Sequence, residues 1–496
     1  MAKNLKQHLR CDMVIKWFAA LCTLSLLCSV TPYTYFLYTP LLMASMAVGC
    51  VLLLWLFLVD RRIYTRPYVV FFFVFCVGYS VTILLNRQSG FVTNCGQLVY
   101  TAFYFFIFFC TYSSLEEETK METLRLLSWM VVVFSSAVAL ISLGMMLADY
   151  CTEIDHLGTK LTIGFIHRNS SMQLVGVTTG PSNISELCML GIIAVWYLFH
   201  KPNGMPKWPC TLTGIILFFT IAAANAYSAL MSMTAFAVLL VLCLNLGKAM
   251  RQNGKTIRLV GKTVVQIVLA CVIVIGGYFG AQQLDTVAVN GVQQIIYEDG
   301  NQTPGQPDGQ PPKVTITRDV ATSANGVRSS IWREGIKLFA AHPLGVTNSN
   351  ISVKVFYGVP DYEYRNLHNG YLTLLVASGV IGFLAVMSFG ILFFIRAMRY
   401  LCKCTDREKC KQLSVLIAVC AAILAGELVN GCFVLWRGLA YIALWLLLGQ
   451  ICGIIAQPKT PKNRCAEKSA VRRLSCVPLP SFLPAAAQRA CQTKIS

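Results

Sequence analysis

Two side chains, about forty positions apart, have the types needed for chemistry on a charged substrate. Residues 327–341, VRSSIWREGIKLFAA, have helical periodicity, and Arg328 projects from the centre of the apolar face. An arginine in an apolar setting needs a partner, and a planar guanidinium can bind an anion through two parallel hydrogen bonds. The alternative is that Arg328 lies in the first helical turn and extends its charge into water.

The second side chain is His368, in the run DYEYRNLHNGY that precedes an apolar stretch. Imidazole titrates near neutral pH, so a histidine at a helix mouth can accept a proton from a substrate hydroxyl. The alternative is an interfacial imidazole bonded to a backbone group. Arg365, Asn369 and Tyr371 bring donors and acceptors to the same rim, which favours a substrate-binding site.

An earlier polar segment, residues 149–182, supplies further candidates. It contains Arg168, and Asn183 and Glu186 follow at the start of the next apolar window. Asn183 with Glu186 fits a capping box at a helix N-terminus. The alternative places Glu186 in a polar vestibule, where it would contact substrate.

Transmembrane helices must position these residues. The chain has 496 residues, of which 56% are hydrophobic and 13% charged, more apolar surface than one globular core needs. Crossing a bilayer takes about 20 apolar residues. We therefore predict an all-α integral membrane protein with about twelve spans, near 13–31, 38–59, 68–85, 97–113, 124–148, 183–200, 210–226, 227–247, 263–281, 369–395, 412–432 and 436–456.

Basic residues set the predicted orientation, because lysine and arginine are retained on the cytoplasmic side. With the amino terminus inside, the basic loops and the basic tail 457–496 are all cytoplasmic, whereas 149–182 and the large loop 282–368 are external. Spans one to nine then occupy residues 1–281 and spans ten to twelve residues 369–456. The tail is expected to be disordered, since it is rich in proline, alanine and charge.

The net charge of +19 is explained by these cytoplasmic segments, where anionic membrane lipids attract it, so nucleic-acid binding is not predicted. Most of the 21 cysteines lie in apolar windows and behave as small hydrophobic residues. Cys402, Cys404 and Cys410 share one loop, but zinc would need a fourth ligand that we cannot assign. We predict neither a metal nor a cofactor.

Motifs within the external segments carry a resemblance to a known family. They are Arg328-Ser-Ser-Ile-Trp332, His342-Pro-Leu-Gly345 and Leu367-His-Asn-Gly-Tyr-Leu372, followed by Gly379 and Gly382, with Gly176 and Pro181-Ser-Asn183 upstream. In their order and spacing these motifs resemble the O-antigen ligase and O-antigen polymerase superfamily.

The resemblance implies a membrane glycosyltransferase of C-type architecture in the bacterial cytoplasmic membrane. Such enzymes take a glycan from undecaprenyl diphosphate at the outer face and transfer it to a glycan, lipid or protein, without metal or nucleotide sugar. It also implies that Arg328 contacts the lipid diphosphate and that His368 acts at the acceptor hydroxyl.

The chain departs from the family pattern at two places. Met172 and Gln173 stand where members often have an arginine before the glycine, and Ser228 is followed by Ala229 where a second arginine is often found. Either the diphosphate clamp is incomplete in this chain, or Arg168 and Arg365 substitute for the missing arginines.

Two other functions remain open at this point. A multi-pass transporter of a small solute would also suit twelve spans, but carriers usually bind near the midplane on broken helices, and the ionisable residues here cluster at the outer rim. A scaffold for polysaccharide assembly would leave Arg328 and His368 without a role. The sequence therefore favours a ligase or polymerase of surface polysaccharide.

Overall fold

Long helices form most of the protein in the computed structural model, which describes residues 2–168, 171–200, 204–249, 256–298, 316, 325–355, 362–431 and 433–456. The helices are α1 Ala2–Val30, α2 Tyr35–Trp55, α3 Val69–Leu85, α4 Phe91–Ala102, α5 Glu117–Leu147, α6 Pro181–Phe199, α7 Lys207–Ala224, α8 Tyr227–Ala249, α9 Thr256–Glu298, α10 Asn325–Ala341, α11 Gly370–Lys403, α12 Arg407–Gly426 and α13 Leu439–Ala456. The predicted tail 457–496 lies outside the described residues.

Eleven helical segments among the described residues are long and apolar enough to cross a membrane. The shorter apolar helix α3 coincides with the predicted third span. The prediction of a polytopic all-α membrane protein is confirmed, while the number of crossings stays a prediction.

Two predicted span boundaries differ from the structure. Helix α9 continues to Glu298, past the expected end of its span at 281, so the first part of the predicted external loop is helical. Helix α12 ends at Gly426 and α13 begins at Leu439, whereas the predicted windows had included most of residues 427–438. Residues 433–435 lay between the two predicted windows, and their side chains, Phe433, Val434 and Leu435, are buried inside the bundle.

Polar contacts join segments that the orientation rule assigns to the same side. On the predicted inner side, Lys16 pairs with Glu122 at 2.7 Å and Gln450 donates to Glu117 at 2.7 Å. On the predicted outer side, the Asn94 amide donates to Thr347 at 3.0 Å. The alternation of loops is therefore internally consistent, and which side faces the cytoplasm stays a prediction.

Two small antiparallel sheets accompany the helices. Strands β1 Cys151–His156, β2 Thr159–Arg168 and β3 Ser171–Gly176 pair in sequence order within the segment 149–182, which is predicted to be external. Strands β4 Val353–Val355 and β5 Tyr362–Tyr364 form a second pair just before α11. The sequence had predicted neither sheet.

An aromatic core packs three of the helical segments against one another. A π-helical continuation of α4, Phe103–Thr111, is buried along its whole length. Its Phe105 ring stacks on Phe72 of α3 at 4.5 Å and meets Trp445 of α13 edge-on at 4.9 Å. Such ring pairs add stabilisation beyond the area they bury, so α3, α4 and α13 are held as one unit.

Helix α11 is broken at Gly379, where φ is +66° and ψ is −176°. This backbone conformation is essentially restricted to glycine. The segment after α10 fills the break: Val346 N–H donates to Val376 O at 3.0 Å, Thr347 N–H to Ala377 O at 3.1 Å, and Val380 N–H to Pro343 O at 2.9 Å. A broken transmembrane helix is tolerated when neighbouring backbone satisfies the freed groups, as it does here.

Gly379→Ala is expected to lower the free energy of unfolding by at least about 1–3 kcal/mol, the cost of a non-glycine residue in this conformation. A Cβ at position 379 would also collide with the backbone carbonyl carbon of Leu344. Thermal unfolding of the detergent-solubilised protein measures the loss. Gly390→Ala in the same helix is the matched control, since its Cβ meets nothing within 4 Å, and equal stability of the two variants would contradict the prediction.

Candidate functional site

Helix α10 carries Arg328 and packs against the start of α11. The Trp332 indole N–H donates to Leu367 O at 3.0 Å, and the space where Gly335 would carry a side chain is filled by Leu367 and Leu372. Ile331 is also buried, so this part of the predicted apolar face is confirmed, although Ile336 is exposed. Helix α10 ends at Ala341, just before the His342-Pro343 pair, as predicted.

His368 is held at the mouth of α11 by its neighbours. Its backbone has φ +48°, a left-handed conformation uncommon for histidine, and its N–H donates to Asn366 Oδ1 at 2.8 Å. Leu367, immediately before it, is fully buried and accepts the Trp332 bond. Unusual backbone conformations of this kind persist only where the surroundings impose them, so the position of the ring is set by the fold.

The environment of His368 keeps its ring neutral. Burial lowers the pKa of His368 below its ordinary value of 6.5, and the nearby positive charge of Arg328 lowers this pKa further. Removal from water disfavours the charged form of a base, and a like charge has the same effect. The structure therefore brings the two predicted catalytic residues into one electrostatic environment, in which His368 can accept a proton at neutral pH.

Two other predicted residues, Asn369 and Tyr371, have structural partners. Asn369 caps α11, because its Oδ1 accepts from Tyr371 N–H at 3.1 Å and Leu372 N–H at 3.0 Å. The Tyr371 hydroxyl donates to Leu424 O of α12 at 2.9 Å. Substrate contact is not needed to account for either side chain.

The two arginines expected to substitute for missing family arginines lie in different settings. Arg365 is 80% exposed and its Nε lies 3.5 Å from Glu363 Oε1, so it pairs at the surface. Arg168 ends β2, where it is paired in register with Ser171, and its side chain lies outside the described residues.

The expected capping box of Asn183 and Glu186 is wrong. The N-cap of α6 is Gly180, a proline follows at the first position, and the Asn183 amide donates to Thr179 Oγ1 at 2.6 Å. Glu186 instead lines a cavity, where the Asn430 amide approaches its Oε2 at 3.5 Å. Glu186 therefore lies in a polar cavity, as the alternative placed it, and its contact with substrate stays a prediction.

This polar cavity has a volume of about 260 Å³ and lies between α1, α6 and the connector 427–438. Its polar wall includes Glu186, Asn366, Asn430, Trp436 and Arg437. Since Asn366 also accepts the His368 N–H, one side chain joins the cavity to the candidate base.

Arg437 and Asn430 were missed in the sequence. The predicted spans 412–432 and 436–456 included both residues, so neither was read as part of an external site. The available signal was the stretch 430–438, NGCFVLWRG, where an asparagine, three glycine or cysteine residues and an arginine interrupt the apolar pattern. Such a break next to a charge marks a connector more often than a span.

A family comparison bears on the functional classes left open. Residues 212–387, from α7 to the middle of α11, match the model of a family described as O-antigen ligase. Over this segment the chain is similar to the O-antigen ligase family. The matched segment includes Arg328 and His368, and the match confirms the family resemblance of the motifs. It does not favour the alternative of a transporter. No curated protein matches the chain.

This match supports an O-antigen ligase/polymerase-like role in polysaccharide biosynthesis, with a glycosyltransferase-like activity. Its many apolar helices make it a membrane protein. Among the described residues, no three His, Cys, Asp or Glu side chains group closely enough to hold a metal ion.

Proposed function

We propose that this protein transfers a glycan from an undecaprenyl-diphosphate-linked donor to an acceptor hydroxyl at the outer face of the bacterial cytoplasmic membrane. Both termini are cytoplasmic in this proposal, and the reaction needs no metal or nucleotide sugar. The observation that carries it is the pairing of a neutral, partly buried His368 with the charge of Arg328 inside the O-antigen ligase family segment.

The chemistry follows from these two side chains. His368 takes the proton of the acceptor hydroxyl while the acceptor oxygen attacks the anomeric carbon, and it later releases that proton to water. The new bond forms as the bond from the anomeric carbon to the diphosphate breaks, with inversion at that carbon. Undecaprenyl diphosphate leaves with the bonding electrons, and the Arg328 guanidinium stabilises the negative charge that develops on it.

Proximity and charge matching supply most of the expected acceleration. A lipid diphosphate is already a good leaving group once its charge is matched, so the protein must mainly hold donor and acceptor together in a site drier than water. The base is expected to add about 10²–10⁴-fold.

Purified protein in lipid nanodiscs tests the proposal directly. Given an undecaprenyl-diphosphate-linked glycan and an acceptor glycan, with EDTA present, it is expected to release undecaprenyl diphosphate and to lengthen the acceptor. Chromatography of the lipid product and mass spectrometry of the glycan measure the two products. Release without glycan transfer, or transfer only after a divalent cation is restored, would contradict the proposal as stated.

A further inference from the structure

The polar cavity beside His368 has side chains that match a sugar ring better than an anion. Glu186 offers only acceptor oxygens when ionised, Arg437 offers only donors, and Asn366 and Asn430 offer both. A hydroxyl group both donates and accepts, so a ring carrying several hydroxyls can use all of these groups. A diphosphate could use only the donors, and an ionised Glu186 would oppose its charge.

Arg437 has donor capacity that the protein does not use. Its Nε is buried without a hydrogen-bond partner among the described residues, and its guanidinium lies 5.7 Å from the centre of the Tyr100 ring. The cation–π contact holds the charged group without consuming its N–H donors. A buried donor without a partner is costly, so the Nε–H of Arg437 favours a ligand that accepts a hydrogen bond.

Trp436 gives the cavity an aromatic wall. Its side chain is 42% exposed, although its backbone is fixed, because the Tyr104 hydroxyl donates to Trp436 O at 3.1 Å and Thr101 donates to Val434 O at 2.7 Å. An indole presents a flat apolar face beside polar groups. The C–H face of a pyranose ring can pack on such a surface while its hydroxyls bond to the amides and charges around it.

The cavity is tied structurally to the candidate base. Asn366 lines it and accepts the His368 N–H at 2.8 Å. The first residue of α11, Gly370, donates its N–H to Glu427 O at 2.7 Å, which fastens the helix mouth to the same connector that carries Trp436 and Arg437. A ring seated in the cavity is therefore next to the segment that positions His368.

We propose that this cavity is the subsite for the terminal sugar of the acceptor, and that it binds a neutral polyhydroxyl ring. The inference rests on the proposed function, in which His368 acts at the acceptor hydroxyl. Glu186, Arg437 and the two asparagines select the ring by its hydroxyl pattern, because a missing hydroxyl would leave a polar group of the site unpaired.

Tryptophan fluorescence of the full chain in nanodiscs tests the subsite. The probes are the methyl glycosides of glucose, galactose, N-acetylglucosamine and glucuronic acid, and inorganic diphosphate. At least one neutral methyl glycoside is expected to give a saturable change. That change should disappear in Trp436→Leu and require at least about tenfold more glycoside in Glu186→Gln. Trp208→Leu is the matched control, since Trp208 is 73% exposed at the start of α7, and it should keep the response.

Transfer kinetics provide a second readout. The KM for the acceptor is expected to rise at least about tenfold in Trp436→Leu and Glu186→Gln, with little change in kcat or in the KM for the donor. A fluorescence change caused by inorganic diphosphate and by no glycoside would overturn the subsite. A rise in the KM for the donor instead of the KM for the acceptor would also overturn the subsite. So would the absence of any fluorescence change with every probe, together with an unchanged KM for the acceptor in the variants.

The two proposals can fail separately. If the variants transfer glycan with an unaltered acceptor KM, the subsite is refuted and the proposed function stands. If the unmodified protein binds a neutral glycoside through Trp436 but transfers no glycan, the proposed function is refuted and the binding site stands.

Discussion

Arg328→Lys is expected to lower kcat for glycan transfer by about 10²–10³-fold, while the amount of folded protein stays normal. The substitution keeps the positive charge but removes the planar fork that can bind two oxygens of a diphosphate at once. In the proposed reaction the fork stabilises the negative charge that develops on the leaving group. Its loss should therefore raise the activation free energy by about 2.7–4 kcal/mol, as removal of an oxyanion donor does. Single-turnover transfer with saturating donor and acceptor measures the chemical step.

Arg333→Lys is the matched control for this substitution. Arg333 lies on the same helix, but its side chain is exposed, so loss of its fork should change kcat less than about twofold. Small and equal effects at positions 328 and 333 would contradict the anion-binding role and support the alternative in which Arg328 extends its charge into water.

Hydropathy predicted the helices well because every segment that crosses the lipid bilayer must be long and apolar. Helices α1, α5, α6 and α8 fall on predicted windows, since about 20 apolar residues are needed wherever the chain crosses. The same rule extended two predicted windows into the connector 427–438 and left only residues 433–435 outside them. Val434 and Leu435 are apolar because they pack inside the bundle, so apolar character alone does not separate a connector from a span here.

Motif order identified the proposed reaction residues, Arg328 and His368, but did not explain the other motif positions. The sequence identified Pro343-Leu-Gly345 and Gly379 only as part of a family signature. The structure gives the physical reason: Gly345, with φ +90°, would place a Cβ 2.6 Å from Gly379 N, so the two backbones can approach only as glycines. This close approach lets the segment after α10 form hydrogen bonds with the backbone groups freed by the break in α11. These bonds fix the position of α11, and His368 lies just before its first turn.

The cavity could not be predicted because its wall comes from distant parts of the chain. Glu186 lies in α6, Asn366 precedes α11, and Arg437 follows α12, and no local periodicity relates them. Sequence reasoning offered Glu186 both a capping and a vestibule role, and only tertiary contacts distinguish these. Arg365 looked equivalent to Arg437 by residue type, yet the first pairs with Glu363 at the surface and the second lines the cavity.

His368→Asn is expected to reduce glycan transfer by about 10²–10⁴-fold with donor binding retained, because a general base acts in the transition state. Asparagine is the informative replacement, since it tolerates the left-handed backbone at φ +48° better than most residues. The loss of activity then measures the contribution of the imidazole ring. His342→Asn, at an exposed position after α10, should keep most activity. An unchanged rate in His368→Asn would remove His368 from the reaction.

The pH dependence of transfer provides an independent measure of the same base. Burial and the charge of Arg328 both lower the pKa of His368 below 6.5, so the ring is already neutral at and above that pH and becomes protonated only as the pH falls further. The rate of the unmodified enzyme should therefore be level from about pH 7 upward and fall tenfold per pH unit below the lowered pKa. Rates of His368→Asn should not show this step, because the titrating ring is absent. Two results would show that another group controls the proton transfer. One is a rate that rises through an ionisation above pH 6.5, and the other is a fall in rate at the same pH in His368→Asn as in the unmodified enzyme.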